Sequence, residues 1–162
     1  MDDAIKRLLH AAMVAAVLMP LTVRATTPVI VRVTIVEPPP CTINDDRPIE
    51  VDFGDVMTTR VDGSNYLKPI EYTLNCTNPK NNAMKLQLKG VSASFDGKLL
   101  KTTKQGLGIG LLQGSSKMSI NSWLNFTYPN KPELWAVPVQ QGGVTLSGGE
   151  FTAGATMSVA YQ

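Results

Sequence analysis

Residues Pro38-Pro39-Pro40, directly ahead of Cys41, limit what this chain can fold into more than any other stretch. Proline has no backbone N–H and a fixed φ, so three in succession offer no donors to a β-ladder and form a stiff, extended spacer. They set apart a segment of high β-propensity, Thr27–Val36, in which Val29, Val31, Val33 and Ile35 fall on one face. Two readings of that segment stand: an ordinary first strand folded back after a bend, or a detached strand meant to pair with another molecule.

The rest of the chain past residue 25 shows period-2 alternation and turn residues, with no long 3.6-residue stripe. Strands are expected over Ile49–Phe53, Ile70–Leu74, Met84–Leu88, Leu107–Gln113, Leu134–Val139 and Phe151–Tyr161. Trp135, Val137 and Val139 alternate in one of them, which places Trp135 in the core. Turns are expected at Asn44-Asp-Asp, Asp62-Gly-Ser-Asn, Asn78-Pro-Lys-Asn-Asn, Asp96-Gly, Gly114-Ser-Ser, Pro129-Asn-Lys-Pro and Ser147-Gly-Gly. Short strands with regularly spaced turns predict an all-β sandwich.

The first residues read as an address. Lys6 and Arg7 precede the apolar run Ala11–Val23, and Val23-Arg24-Ala25 suits a cleavage site. Residues 1–25 are therefore expected to be a secretory signal peptide, cut to leave Thr26–Gln162. A membrane-spanning helix needs roughly 20 apolar residues, and Pro20 and Arg24 interrupt the run.

Composition then excludes whole classes. The 162 residues are 17% charged with a formal net charge of +2. No basic stripe is available to neutralise phosphates, so nucleic acid is not an expected partner. The one histidine, His10, falls in the leader, which removes histidine-centred catalysis and a Cys/His zinc site. Cys41 and Cys76 would meet an oxidising compartment, and their spacing is unlike Cys-x-x-Cys. A structural disulfide is expected over a redox couple. Closing a loop of ~36 residues would stabilise the fold by ~4 kcal/mol on the chain-entropy account.

In combination, these residues resemble the pilus subunits assembled by the chaperone–usher pathway. The leader is followed by an alternating extension ending Pro39-Pro40-Cys41. Then come Cys41-Thr-Ile-Asn, Val51-Asp-Phe-Gly-Asp55 and the second cysteine in Leu74-Asn-Cys76. Last is a C-terminal signature, a glycine fourteenth from the end (Gly149) and a penultimate aromatic residue (Tyr161). The spelling around Cys41–Asp55 and Leu146–Gln162 is most similar to minor tip and adaptor subunits of P-type and type 1 pili.

The resemblance implies an all-β, incomplete immunoglobulin-like sandwich over residues 41–162, lacking its last (G) strand and completed by a donor strand from another chain. Residues 26–40 would be the donor-strand extension with its proline spacer. Val29, Val31, Val33 and Ile35 would enter pockets of the preceding subunit, with Thr27 over the outermost pocket. Val33 stands where the family often carries glycine, which implies a partner with a roomier pocket. The C-terminal strand, with Gly149, Phe151, Ala153, Ala155, Met157, Val159, Tyr161 and Gln162, would be gripped by a periplasmic chaperone and then by the following subunit. Ala153, Ala155, Met157, Val159 and Tyr161 share one face. No later strand is expected to cover that edge, and an uncovered apolar edge is an aggregation template. The implied partners are the chaperone, an outer-membrane usher and neighbouring subunits, the tip adhesin among the candidates. The implied destination is a fimbrium on the bacterial surface, reached through the periplasm.

Other motifs carry less. Gly106-Leu-Gly-Ile-Gly110 lacks the following helix that a phosphate loop requires, and reads as a bulged or closely packed strand. Asp45, Asp46, Asp52 and Asp55 lack the terminal glutamate of an EF-hand and read as solvated charges. Asn75-Cys-Thr77 and Asn125-Phe-Thr127 match the glycosylation sequon, by chance in a bacterial family. No two acids stand in a context that suggests paired-carboxylate hydrolysis, so no enzymatic activity, cofactor, metal or small-molecule substrate is expected. The rival to a pilus subunit is a secreted single-domain adhesin or lectin-like module, which would need a complete sandwich and an exposed aromatic pocket, with Trp123 as a candidate platform.

Overall fold

The computed structural model describes residues 37–162. The expected leader and the donor residues Thr27, Val29, Val31, Val33 and Ile35 lie outside the described residues. Strands run in the order β1 (Cys41–Ile43), β2 (Lys68–Ile70), β3 (Leu74–Cys76), β4 (Ala83–Gly90), β5 (Ser92–Ala93), β6 (Asp96–Lys101), β7 (Leu107–Gln113), β8 (Ser116–Met118), β9 (Trp123–Thr127), β10 (Leu134–Gln140) and β11 (Ala155–Tyr161). All their ladders are antiparallel.

Three sheets result. One has the order β2-β10-β7-β6-β5 with β8 beside β7, a second is β11-β4-β9, and β1-β3 form a ribbon. In the second sheet, Tyr161, Met84 and Phe126 stand in one cross-strand row, Val159, Leu86 and Leu124 in the next. Paired residues share a face, so the alternation of β4 places all of these inward. Opposite them, Ile70, Leu100, Ile109, Leu111, Leu134 and Ala136 come from the first sheet to form one core with Met84, Leu86, Leu88 and Phe126. Burying such side chains is the main favourable term of folding, at about 25 cal/mol per Å² of apolar surface. Two facing antiparallel sheets around one apolar layer are the expected sandwich.

The chain enters this body through its prolines. Pro39 is buried, and the Pro40 carbonyl accepts a hydrogen bond from Thr77 N at 2.9 Å. Prolines lack donors but keep acceptors. The glycine-rich stretch is packed as expected. A Cβ on Gly108 would lie 3.1 Å from Leu99 Cβ and 3.3 Å from the Leu100 carbonyl, so β7 needs glycine for close approach of β6.

Several strand expectations are corrected. Ile70–Leu74 is two strands, since β2 ends at Ile70 in one sheet and β3 begins at Leu74 in the ribbon. Asp96-Gly97 opens β6, and the hairpin turn falls at Ser94-Phe95. In β10 the core cluster takes Leu134 and Ala136, while Trp135 is half-buried on the other face. Residues 134–139 are apolar throughout, and Val137 is also buried, so alternation could not tell the two faces apart. The strands β5, β6, β8 and β9 are short or carry polar residues and gave no clear period-2 signal.

Candidate functional site

Ile49–Phe53 alternates as the sequence suggests, yet belongs to no ladder among the described residues. Its course is set by Asn44, Asp45 and Asp46, whose φ values of 50°, 53° and 57° make a left-handed turn after β1. Asparagine and aspartate tolerate that region best among residues other than glycine. The Asn44 side chain holds the exit by donating to the carbonyls of Arg47 and Pro48 at 3.1 and 3.0 Å. The chain then runs along the body with Ile49, Val51 and Phe53 against the core and Glu50 and Asp52 exposed.

β11 runs on the other side. Among the described residues it pairs only with β4, so its second edge is free. Gln162 N donates to the Ala83 carbonyl on β4 at 3.2 Å. Backbone groups alternate sides along a strand, so Thr156, Ser158 and Ala160 bond toward β4. Ala155, Met157, Val159 and Tyr161 then direct their N–H and C=O groups to the free edge.

Between these two walls lies an open groove of about 730 Å³. Ile70, Leu88, Leu100, Ile109, Leu111 and Ala136 reach it from the core, and Cys41 stands at its margin. A second cleft of about 580 Å³, reaching Leu107 and Leu146, shares Val51, Phe53, Phe151 and Thr152 with the first. The Phe53 and Phe151 rings meet there, 6.1 Å apart. An apolar floor beside an unpaired strand edge has the geometry to take up an extended peptide: the edge supplies backbone hydrogen bonds and the floor takes alternate side chains. Among the described residues, no group of His, Cys, Asp and Glu could hold a metal ion.

The candidate residues fall into place unevenly. Cys41 and Cys76 face each other across β1 and β3 and form a disulfide. Gly149 has a φ of 108°, open to glycine and strained for other residues, in a loop whose Ser147 and Gly148 carbonyls accept from Lys104 Nζ at 3.0 and 2.7 Å. Phe151 is half-buried against the core. Ala153 is not in β11, contrary to expectation. It bridges Thr102 at the end of β6, with Thr103 N donating to the Thr152 carbonyl at 2.9 Å. These bonds tie the approach to β11 to the opposite sheet. Ala155 is exposed on the groove wall, and Met157, Val159 and Tyr161 are half-buried.

The C-terminal end of β11 is anchored by side chains. The Tyr161 hydroxyl accepts from Lys80 N at 2.9 Å, and Gln162 Nε2 donates to the carbonyls of Met84 and Phe126 at 2.9 and 3.2 Å. Lys80 Nζ also meets Glu37 at 2.8 Å. That hydrogen bond and charge hold the Glu37 carboxyl below its usual range and the Lys80 ammonium above its own. The opposite wall was missed as part of a site. Ile49, Val51 and Phe53 read as an ordinary strand, and only Pro48 before them and Gly54 after them hint that pairing stops there.

Comparison with known proteins agrees with this geometry. The family model for fimbrial proteins matches residues 29–162. The fimbrial-like protein YfcR of Escherichia coli is 42% identical over 139 residues, covering 82% of this chain and 79% of that protein. The fimbrial adapter PapF of Escherichia coli is 28% identical, covering 76% of this chain and 81% of that protein. The solved structure of the P pilus adaptor subunit PapF superposes with a TM-score of 0.58 at 28% identity, covering 78% of this chain and 98% of that one. The P pilus rod subunit PapA superposes with a TM-score of 0.62 at 20% identity, over 76% of this chain and 99% of that one, a likeness of fold. The sandwich is thus the immunoglobulin-like fold of pilin subunits, with no strand beside the second edge of β11 among the described residues.

Proposed function

Because the chain belongs to the fimbrial protein family, we propose that it is a non-enzymatic structural subunit of an adhesive pilus, a minor tip or adaptor subunit joined to its neighbours by donor-strand exchange. The observation that carries the reading is the groove between the wall at residues 48–53 and the free edge of β11. On this reading residues 1–25 are the cleaved leader, residues 26–40 carry the donor strand and residues 41–162 are the acceptor domain. Thr27, Val29, Val31, Val33 and Ile35 enter the preceding subunit. The segment from Gly149 to Gln162 first meets a periplasmic chaperone and then, at an outer-membrane usher, the next subunit. The likeness to an adaptor supports a place near the pilus tip. A free-standing adhesin would need a closed sandwich, and the free edge weighs against it.

The physical case is that an inserted strand supplies both a ladder for the β11 edge and side chains for the floor. Four aliphatic residues at about 1.5–3 kcal/mol each give roughly 6–12 kcal/mol before ordering costs. Co-expression with a chaperone of such a pathway tests the reading. A stoichiometric periplasmic complex, with aggregation or degradation when the chaperone is omitted, is the expected result. A chain that accumulates alone as a stable monomer would overturn it.

A further inference from the structure

The two walls of the groove differ in charge. On the 48–53 wall the outward residues include Glu50 and Asp52, both exposed. Asp46 and Glu50 line the larger cleft, and Asp52, Asp55 and Glu150 line its continuation. Of the cations lining these clefts, Arg47 is offset by Asp45 at 3.3 Å, and Lys104, held by the neutral Ser147 and Gly148 carbonyls, keeps its charge but is outnumbered by Asp52, Asp55 and Glu150. On the β11 wall the outward positions are Thr156, Ser158 and Ala160, all uncharged. Lys85 and Lys89 sit one strand further away on β4. The rim is therefore acidic on one side and neutral on the other.

We infer that the groove selects its occupant by charge as well as by apolar alternation, favouring a donor strand that carries a lysine or arginine on its solvent-facing side. The inference rests on the proposal that an extended strand fills the groove. Such a strand turns alternate side chains inward, and those between them emerge beside Glu50 and Asp52. A cation there gains an opposite-charge neighbour across the strands, whereas an acid meets like charge. The floor cannot supply this discrimination, since any aliphatic residue of the right size satisfies it. The chain's own extension has the favoured pattern: Arg32 stands between Val31 and Val33, the one charge within Val29–Ile35. The partner class is then a neighbouring subunit whose extension has a basic residue at the equivalent outward position.

Labelled peptides with the sequence of residues 27–36 would be titrated, at low and high salt, against the mature chain held in its chaperone complex, with uptake read as label transferred to the chain. They carry Val or Gly at position 33, and Arg, Gln or Glu at position 32. At low ionic strength the Arg peptides should be taken up about fivefold to tenfold more readily than the Glu peptides. The gap should shrink in concentrated salt. It should close to about twofold or less when the chain carries Glu50→Gln with Asp52→Asn, two exposed and nearly isosteric changes. Equal uptake of Arg and Glu peptides, or a gap untouched by the neutralised wall, would overturn the inference while leaving strand uptake in place. Absence of uptake of every peptide, those with Gly at position 33 included, would overturn this inference, while the proposed function stands or falls separately on the chaperone complex described above.

Discussion

At the residue scale the disulfide and the packed glycine are the two places where a single atom decides the outcome. Cys41 opens β1 beside the groove and Cys76 closes β3, so their bond clips the ribbon from which the 48–53 wall departs. Cys41→Ser should lower stability by about 2–5 kcal/mol, seen as a fall in urea midpoint and periplasmic yield. Ready thiol labelling of both cysteines in the unreduced native protein would contradict the bond. Gly108→Ala forces a methyl to within 3.1 Å of Leu99 Cβ and 3.3 Å of a backbone carbonyl. An expected loss of about 1–3 kcal/mol follows from overpacking, and an unchanged melting temperature would mean that β6 yields more easily than its packing implies.

At the element scale the two ends of the chain should fail differently. If residues 27–36 are a donor strand as proposed, Val31→Asp would place an unpaired charge in an apolar pocket of another subunit, a cost of several kcal/mol. It should leave chaperone capture intact and abolish joining to the preceding subunit. Tyr161→Ala removes the hydroxyl that caps Lys80 N and an aromatic ring at the end of β11. It should reduce chaperone capture and expose the chain to periplasmic proteolysis. Pull-down of chaperone by each variant checks the contrast, and equal capture by both would contradict it. The legibility of the sequence follows the same division. β4 and β11 alternate over eight and seven residues and were readable because one face is core, whereas β7 is buried on both faces and was readable because glycine alternates with leucine and isoleucine from Leu107 to Leu111. The wall at Ile49–Phe53 alternates just as well, but whether a strand has a neighbour is a long-range fact that local periodicity does not encode. Trp135 misled because both faces of β10 are covered, and the break between Ile70 and Leu74 is a change of sheet that five apolar and polar letters do not mark.

At the scale of the whole molecule, the missing ladder should be suppliable within one chain. A flexible linker after Gln162 followed by a copy of residues 27–36, with Val or Gly at position 33, should yield a soluble monomer with a higher melting temperature than the unfused chain. If neither fusion raises it, the sandwich does not gain from another strand. The parity of β11 has a further consequence, legible in isotopes. Amide hydrogens of Thr156, Ser158 and Ala160 are committed to β4 in every state, whereas those of Ala155, Met157, Val159 and Tyr161 face the groove. In heavy water the first set should exchange slowly throughout, while the second should exchange fast until a strand docks and then slow sharply. Alternate residues of one strand would thus act as a built-in deuterium gauge of occupancy. Equal slowing at odd and even positions would instead report general rigidification and not a new ladder.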